Sequence, residues 1–151
     1  MSREPEPMNG ASIVHRHWPL DGPHSPDTVA AAGEAVAELN RYLARATRSG
    51  REVLPYAHDG YRLAGNLRAA ATSQAQVHRQ LGTWARSLTD DPGLGDDEHP
   101  GDREPAVEKA RTAAVTFDLA DRAMFEIDRL LDSAQAPLGH LYHEMGWGLD
   151  R

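Results

Sequence analysis

The sequence predicts an all-α protein: three long amphipathic helices in an up-down-up bundle, closed by a short C-terminal helical turn. Three observations predict it. Apolar residues recur at alternating three- and four-residue steps over three long stretches, the spacing of one helix face. Two of the stretches open on residues that start helices, and glycine or proline separates each stretch from the next. Three amphipathic helices joined by short connections favour antiparallel neighbours, which gives the up-down-up order.

The first helix has a clear start. Ser25 suits an N-cap, Pro26 the first helical position and Asp27 the first turn, where negative charge is favoured. Val29, Ala32, Val36, Leu39, Leu43 and Ala46 then form one stripe. Asp27, Glu34 and Glu38 precede Arg41, Arg45 and Arg48, the charge order that complements the helix dipole, and Gly50 is a stop. After the Leu54-Pro55 break, a second helix is expected over Tyr56 to Thr89. Its seam reads Leu63, Leu67, Ala70, Gln74, Val77, Leu81, Trp84 and Leu88. Gly60, Gly65 and Gly82 each cost it up to about 1 kcal/mol relative to alanine, and they make its first turns the weakest. Gln74 is the single polar residue of the seam, a place where coiled coils fix register or oligomeric state; the other reading is a turn facing solvent at the bundle's edge.

Asp90-Asp91-Pro92-Gly93 ends the second helix. The loop through Glu104 has the composition of a mobile segment. A third helix begins at Pro105, with Ala106, Ala110, Ala113, Phe117, Ala120, Met124, Ile127, Leu131, Ala134 and Leu138 on its seam. Pro137 is expected to kink or end it near Ser133–Ala136, because the ring clashes with the carbonyl four residues back. A short turn with Leu138, Leu141, Tyr142 and Met145 follows. Residues 1–25, interrupted by prolines, read as an irregular arm whose Trp18 and Leu20 could dock on the bundle; the alternative is a disordered tail with no role. The expected domain organisation is therefore an arm over 1–25, a bundle over 26–146 with a mobile acidic loop at 90–104, and a tail over 147–151.

Composition bounds the chemistry. The 151 residues suit one domain, and the absence of cysteine removes disulfides, thiolate metal sites and cysteine nucleophiles. No apolar run approaches a bilayer span and no signal-peptide pattern opens the chain, so the expected location is cytoplasmic, without a membrane partner. The net charge of −7 is concentrated: residues 90–105 hold seven acids against Arg103, a balance of −6. Fifteen of the sixteen basic residues are arginine, and Lys109 is the exception. With the abundant alanine, this is the composition of a high-GC genome such as an actinomycete's.

Candidate sites are few. His140, His143 and Glu144 could hold a borderline metal on one helical face, but His-x-x-His-Glu matches no zinc-protease order, and surface histidines at a helix C-terminus are the simpler reading. His58-Asp59 resembles an oriented base without a nucleophile, and no nucleophile elbow, phosphate-binding glycine loop or paired-carboxylate motif occurs. The second helix carries Arg62, Arg68, Arg79 and Arg86 against Asp59. Arg68, Arg79 and Arg86 share nearly one angle, a row that a nucleic-acid backbone would accept and that the acidic loop or the third helix would accept equally.

Ala35–Arg48 (AVAELNRYLARATR), Leu54-Pro55-Tyr56, Tyr61–Leu67 (YRLAGNL) and Gln80–Trp84 (QLGTW) resemble the helices of small all-helical proteins of Streptomyces and related actinomycetes. The resemblance spans about residues 27–143. It implies the helical fold and an actinobacterial origin, and it carries no assigned activity and no catalytic residues. The expected function is a non-enzymatic protein-interaction or oligomerisation module without a cofactor, with a protein partner or a second copy. Its expected interface is Tyr42, Leu119, Phe125 and Leu130, apolar residues left over once a three-helix core is built. The alternatives are a nucleic-acid-associated accessory factor using the arginine row, and a small-ligand or metal binder using the tail histidines.

Overall fold

The computed structural model describes residues 8–142, and among them all regular structure is helical. It contains α1 (Gly10–His17), α2 (Pro26–Ala46), α3 (Ala57–Leu88) and α4 (Glu104–Leu138), with a 3-10 turn over Thr47–Glu52. The chain divides into two compact units, Met1–Val53 and Leu54–Arg151.

In the first unit, the arm expected to be irregular contains α1. Asn9 caps it, its side chain accepting a hydrogen bond from the Ser12 N–H at 3.2 Å. α2 starts as its sequence requires. The Ser25 hydroxyl accepts from the Thr28 N–H at 3.1 Å, and the Thr28 hydroxyl accepts from the Ser25 N–H at 2.9 Å. Past Ala46 the chain tightens into the 3-10 turn. Gly50 sits there at φ 46°, a left-handed conformation that costs other residues a Cβ clash. Trp18 is half-buried, and with Ile13 and Val14 it lines an apolar groove of about 550 Å³ against Ala32, Ala35, Val36, Leu39 and Tyr42 of α2. Leu20, expected to dock as well, is 79% exposed. Neither α1 nor α2 contains a buried residue.

The second unit is an antiparallel hairpin of α3 and α4. Leu138 approaches Gly60, Gln135 approaches Gly65, and Asp118 approaches Gly82, so the two helices run in opposite directions. Their buried seam is made of small side chains: Ala71, Ala75, Gly82 and Ala85 of α3 against Ala106, Val107, Ala110 and Ala114 of α4. Gly82 admits the closest approach, since a Cβ there would lie 2.8 Å from the Asp118 carboxylate and 3.4 Å from the Ala114 carbonyl oxygen. α3 therefore runs unbroken through glycines that are intrinsically weak helix formers, because packing overrides propensity. The true seam of α3 lies one position beyond the expected one. Of the expected core residues, Val77 and Trp84 are about half exposed. Two helices meeting through alanine come too close to seat a tryptophan between them, so the larger side chains are displaced to the flank.

α4 also runs on to Leu138, past Ser133–Ala136 where proline was expected to kink or end it. Pro137 lies in the last turn, and the Gly139 N–H then bonds to the Gln135 and Ala136 carbonyls at 3.3 and 3.2 Å. So near a helix end, a missing N–H and a displaced carbonyl disturb little further helix.

Candidate interaction surface

The seam leaves the hairpin with two contrasting flanks. On one flank the arginine row is paired. The Arg68 guanidinium reaches Asp128 at 3.2 Å and Asp132 at 2.5 Å, Arg79 meets Asp121 through two hydrogen bonds of 3.1 and 3.2 Å, and Arg86 meets Asp118 at 2.8 Å. Arg68 also donates to Gln135, whose amide donates to the Tyr61 carbonyl. Arg86 holds the Asp118 carboxyl below the usual carboxylate range, chiefly through its hydrogen bonds. Each arginine thus faces an acid of α4, and the ladder takes up the charge that a phosphate backbone would need. Phe125 belongs to this flank, with the Arg79 guanidinium 6.0 Å from its ring centroid.

The opposite flank is apolar. Seven-residue spacing puts Leu67, Gln74, Leu81 and Leu88 on one row of α3 and Leu63, Val77 and Trp84 on the next. α4 brings Phe117 and Leu131, with Ala113, Ala120 and Ile127 beside them, to the same side. None of these is buried: Trp84 is 55% exposed, Val77 50% and Ile127 40%, and the leucines and Phe117 are half-buried. No large side chain among the described residues is fully buried anywhere. The stripe expected to be the core therefore lies outside the buried seam of the hairpin.

The expected interface residues are all exposed, Tyr42 at 68% and Leu119, Phe125 and Leu130 at 53–60%. They do not form one patch. Leu119 and Leu130 lie on the outer side of α4, Phe125 lies on the ladder flank, and Tyr42 lines the groove of the first unit. Trp84, Val77 and Leu81, assigned to the core from sequence, make the larger apolar face. The signal that could have found the seam was present: Ala71, Ala75, Gly82 and Ala85 repeat the same step one residue later, and they are small enough for a close approach.

The acidic loop is tied down. Asp96 is buried; its carboxylate accepts from Lys109 Nζ at 2.9 Å and from the Glu98 N–H at 3.1 Å, and it pairs with His99 Nδ1 at 3.0 Å. Lys109 also pairs closely with Glu98. Arg103 donates to the Thr89 and Asp91 carbonyls at 2.7 and 3.1 Å, closing the end of α3. The Lys109 hydrogen bond, with that of His99, drives the Asp96 carboxyl far below its ordinary range. Asp96, Glu98 and His99 have the spacing of metal ligands, but the Lys109 ammonium already holds the position a cation would take. Of the tail group, His140 is exposed in the turn after α4, while His143 and Glu144 lie outside the described residues. Asp59 accepts the Tyr56 N–H at 3.0 Å and so caps α3, and His58 stacks on Tyr61 with ring centroids 6.4 Å apart.

No protein-family model matches the chain, and neither the curated proteins nor the solved structures yield a match. No helix among the described residues is long and apolar enough to cross a membrane.

Proposed function

We propose that this chain is a non-enzymatic helical interaction module that works by burying the apolar flank of the α3/α4 hairpin against another protein surface. The observation that carries the reading is the division of labour between the flanks. The polar flank satisfies itself through ion pairs, whereas the apolar flank presents an exposed tryptophan, valine and isoleucine beside a half-buried phenylalanine and row of leucines. Scattered apolar residues are ordinary on a surface, but a contiguous face of this kind marks an association site. Aromatic anchors such as Trp84 contribute disproportionately to association.

The up-down-up bundle belongs to this proposal as the competing cover. α2 carries a stripe of its own and contains no fully buried residue, so it is the intramolecular candidate. The nucleic-acid alternative is weakened by the pairing of Arg68, Arg79 and Arg86, and the metal alternative gains no support from the exposed His140. The test uses a chain in which Trp18 and Trp147 are replaced by phenylalanine, leaving Trp84 as the reporter. In dilute, unassociated protein, Trp84 should be quenched by acrylamide about half as readily as a free indole, in keeping with its 55% exposure. A shielded Trp84 in a proven monomer would show that the chain covers its own face, and the reading would fail.

A further inference from the structure

We infer that the apolar flank is covered by a second copy of this chain, the two hairpins packing face to face as a four-helix bundle with Gln74 at the two-fold axis. The inference rests on the interaction-module reading and names the partner.

Size is the first argument. α3 has 32 residues, and at 1.5 Å per residue it is about 48 Å long. Two helices side by side present a face about 18 Å wide, given interaxial distances of 8–10 Å and a helix diameter near 10 Å. One copy then offers about 900 Å² and a pair buries about 1,800 Å², the size of a stable specific interface. The face thus suits a partner of its own length and width.

Gln74 is the second argument. It is the one polar residue in the row Leu67, Gln74, Leu81, Leu88, and it lies near the middle of α3. An apolar partner would leave its carboxamide without hydrogen bonds once the face closed, which is costly. The stripe of α2 (Val29, Ala32, Val36, Leu39, Leu43, Ala46) is such a partner. A carboxamide, however, is complementary to itself, offering two donors and an acceptor. In a two-fold interface the residue at the axis meets its own copy, so a central glutamine there satisfies its twin. A single polar residue in an apolar seam is also how helical assemblies fix register and copy number.

The two hairpins then lie antiparallel, the loop end of one over the open end of the other. Trp84 and Phe117 near the loop of one copy meet the region of Leu63 and Leu131 of its twin. Large side chains at one end are thereby matched to leucines at the other.

The experiment is sedimentation equilibrium of the full chain with Gln74→Glu, Gln74→Lys and their mixture. The wild-type chain should be a dimer at micromolar concentration. Each variant alone should dissociate at least about 100-fold more readily, the scale of like charges forced together. The equimolar mixture should restore a dimer of one chain of each kind, because glutamate then faces lysine. Trp84→Glu, at a position half exposed within one copy and so dispensable to its folding, should also give a monomer. A dimer indifferent to all three substitutions would overturn the inference, as it would use another surface. A monomeric wild-type chain would overturn it too. In that case a freely quenched Trp84 leaves the interaction-module reading standing with a different partner, and a shielded one removes both.

Discussion

Ala114→Leu is the substitution that most directly tests the alanine seam. Ala114 is 1% exposed and faces Ala85 and Gly82 of α3, where Ala85 is wholly buried. A single added carbon at Gly82 would already touch the Ala114 carbonyl oxygen at 3.4 Å, so the helices are in backbone contact at this level. Leucine introduces three further carbons into that space. Accommodating them by local shifts costs about 1–3 kcal/mol, the usual range for overpacking. If the helices instead separate along their length, the methyl groups of Ala71, Ala75, Ala85, Ala106 and Ala110 lose cover. At about 0.8 kcal/mol each this sets an upper limit near 4 kcal/mol. A loss of about 2 kcal/mol lowers the melting temperature by roughly 8–16 °C for a unit of this size. The assay is thermal unfolding followed by circular dichroism at one fixed protein concentration, since association shifts the midpoint by mass action. Val115→Leu is the control; it places the same leucine side chain next door, at a site 59% exposed, and should change stability by no more than about 0.5 kcal/mol. An Ala114→Leu chain melting within about 2 °C of wild type would show that the seam has slack, and the close-packed hairpin would be wrong.

Four further outcomes are expected. Lys109→Met removes the ammonium from Asp96, so amide exchange at Glu98 should accelerate, and protection equal to wild type would mean that Lys109 does not pin the loop. Because the Asp96 carboxyl is depressed in the folded chain, its contribution is present above the ordinary value of about 3.9 and is lost as pH falls towards the depressed one. The wild type should therefore lose more stability than Lys109→Met on acidification below about pH 4, as measured by urea unfolding at a series of pH values. Gly82→Ala forces the Asp118 carboxylate, 2.8 Å from the new carbon, away from Arg86, so Asp118 should titrate closer to an ordinary carboxyl in an NMR titration; an unmoved titration would refute the close approach. The wild-type chain should give no mobility shift with duplex DNA at physiological salt, since Arg68, Arg79 and Arg86 are already paired; a salt-sensitive shift abolished by replacing all three with alanine would restore the nucleic-acid alternative.

What the sequence determined by itself is the local structure. The Ser25-Pro26 start of α2, the extent of α3 between Pro55 and the Asp90–Gly93 break, and the start of α4 at Glu104-Pro105 all follow from caps, prolines and glycines acting within a turn of themselves. Even α1 was locally signalled, by Asn9 ahead of Ile13 and Val14, although the surrounding prolines and histidines masked it. Tertiary structure alone decided which stripe of each helix is the inside. Periodicity marks an apolar row but not what lies against it, and α3 carries two adjacent rows, one of large residues and one of alanine and glycine. The small row wins the contact between α3 and α4 because backbones that approach closely exclude larger side chains, and the leucines and Trp84 are left on the flank. The same proximity turns the arginine row inward to the aspartates of α4 and draws Asp96 back to Lys109. These pairings join residues 13 to 64 positions apart, beyond the reach of any local pattern.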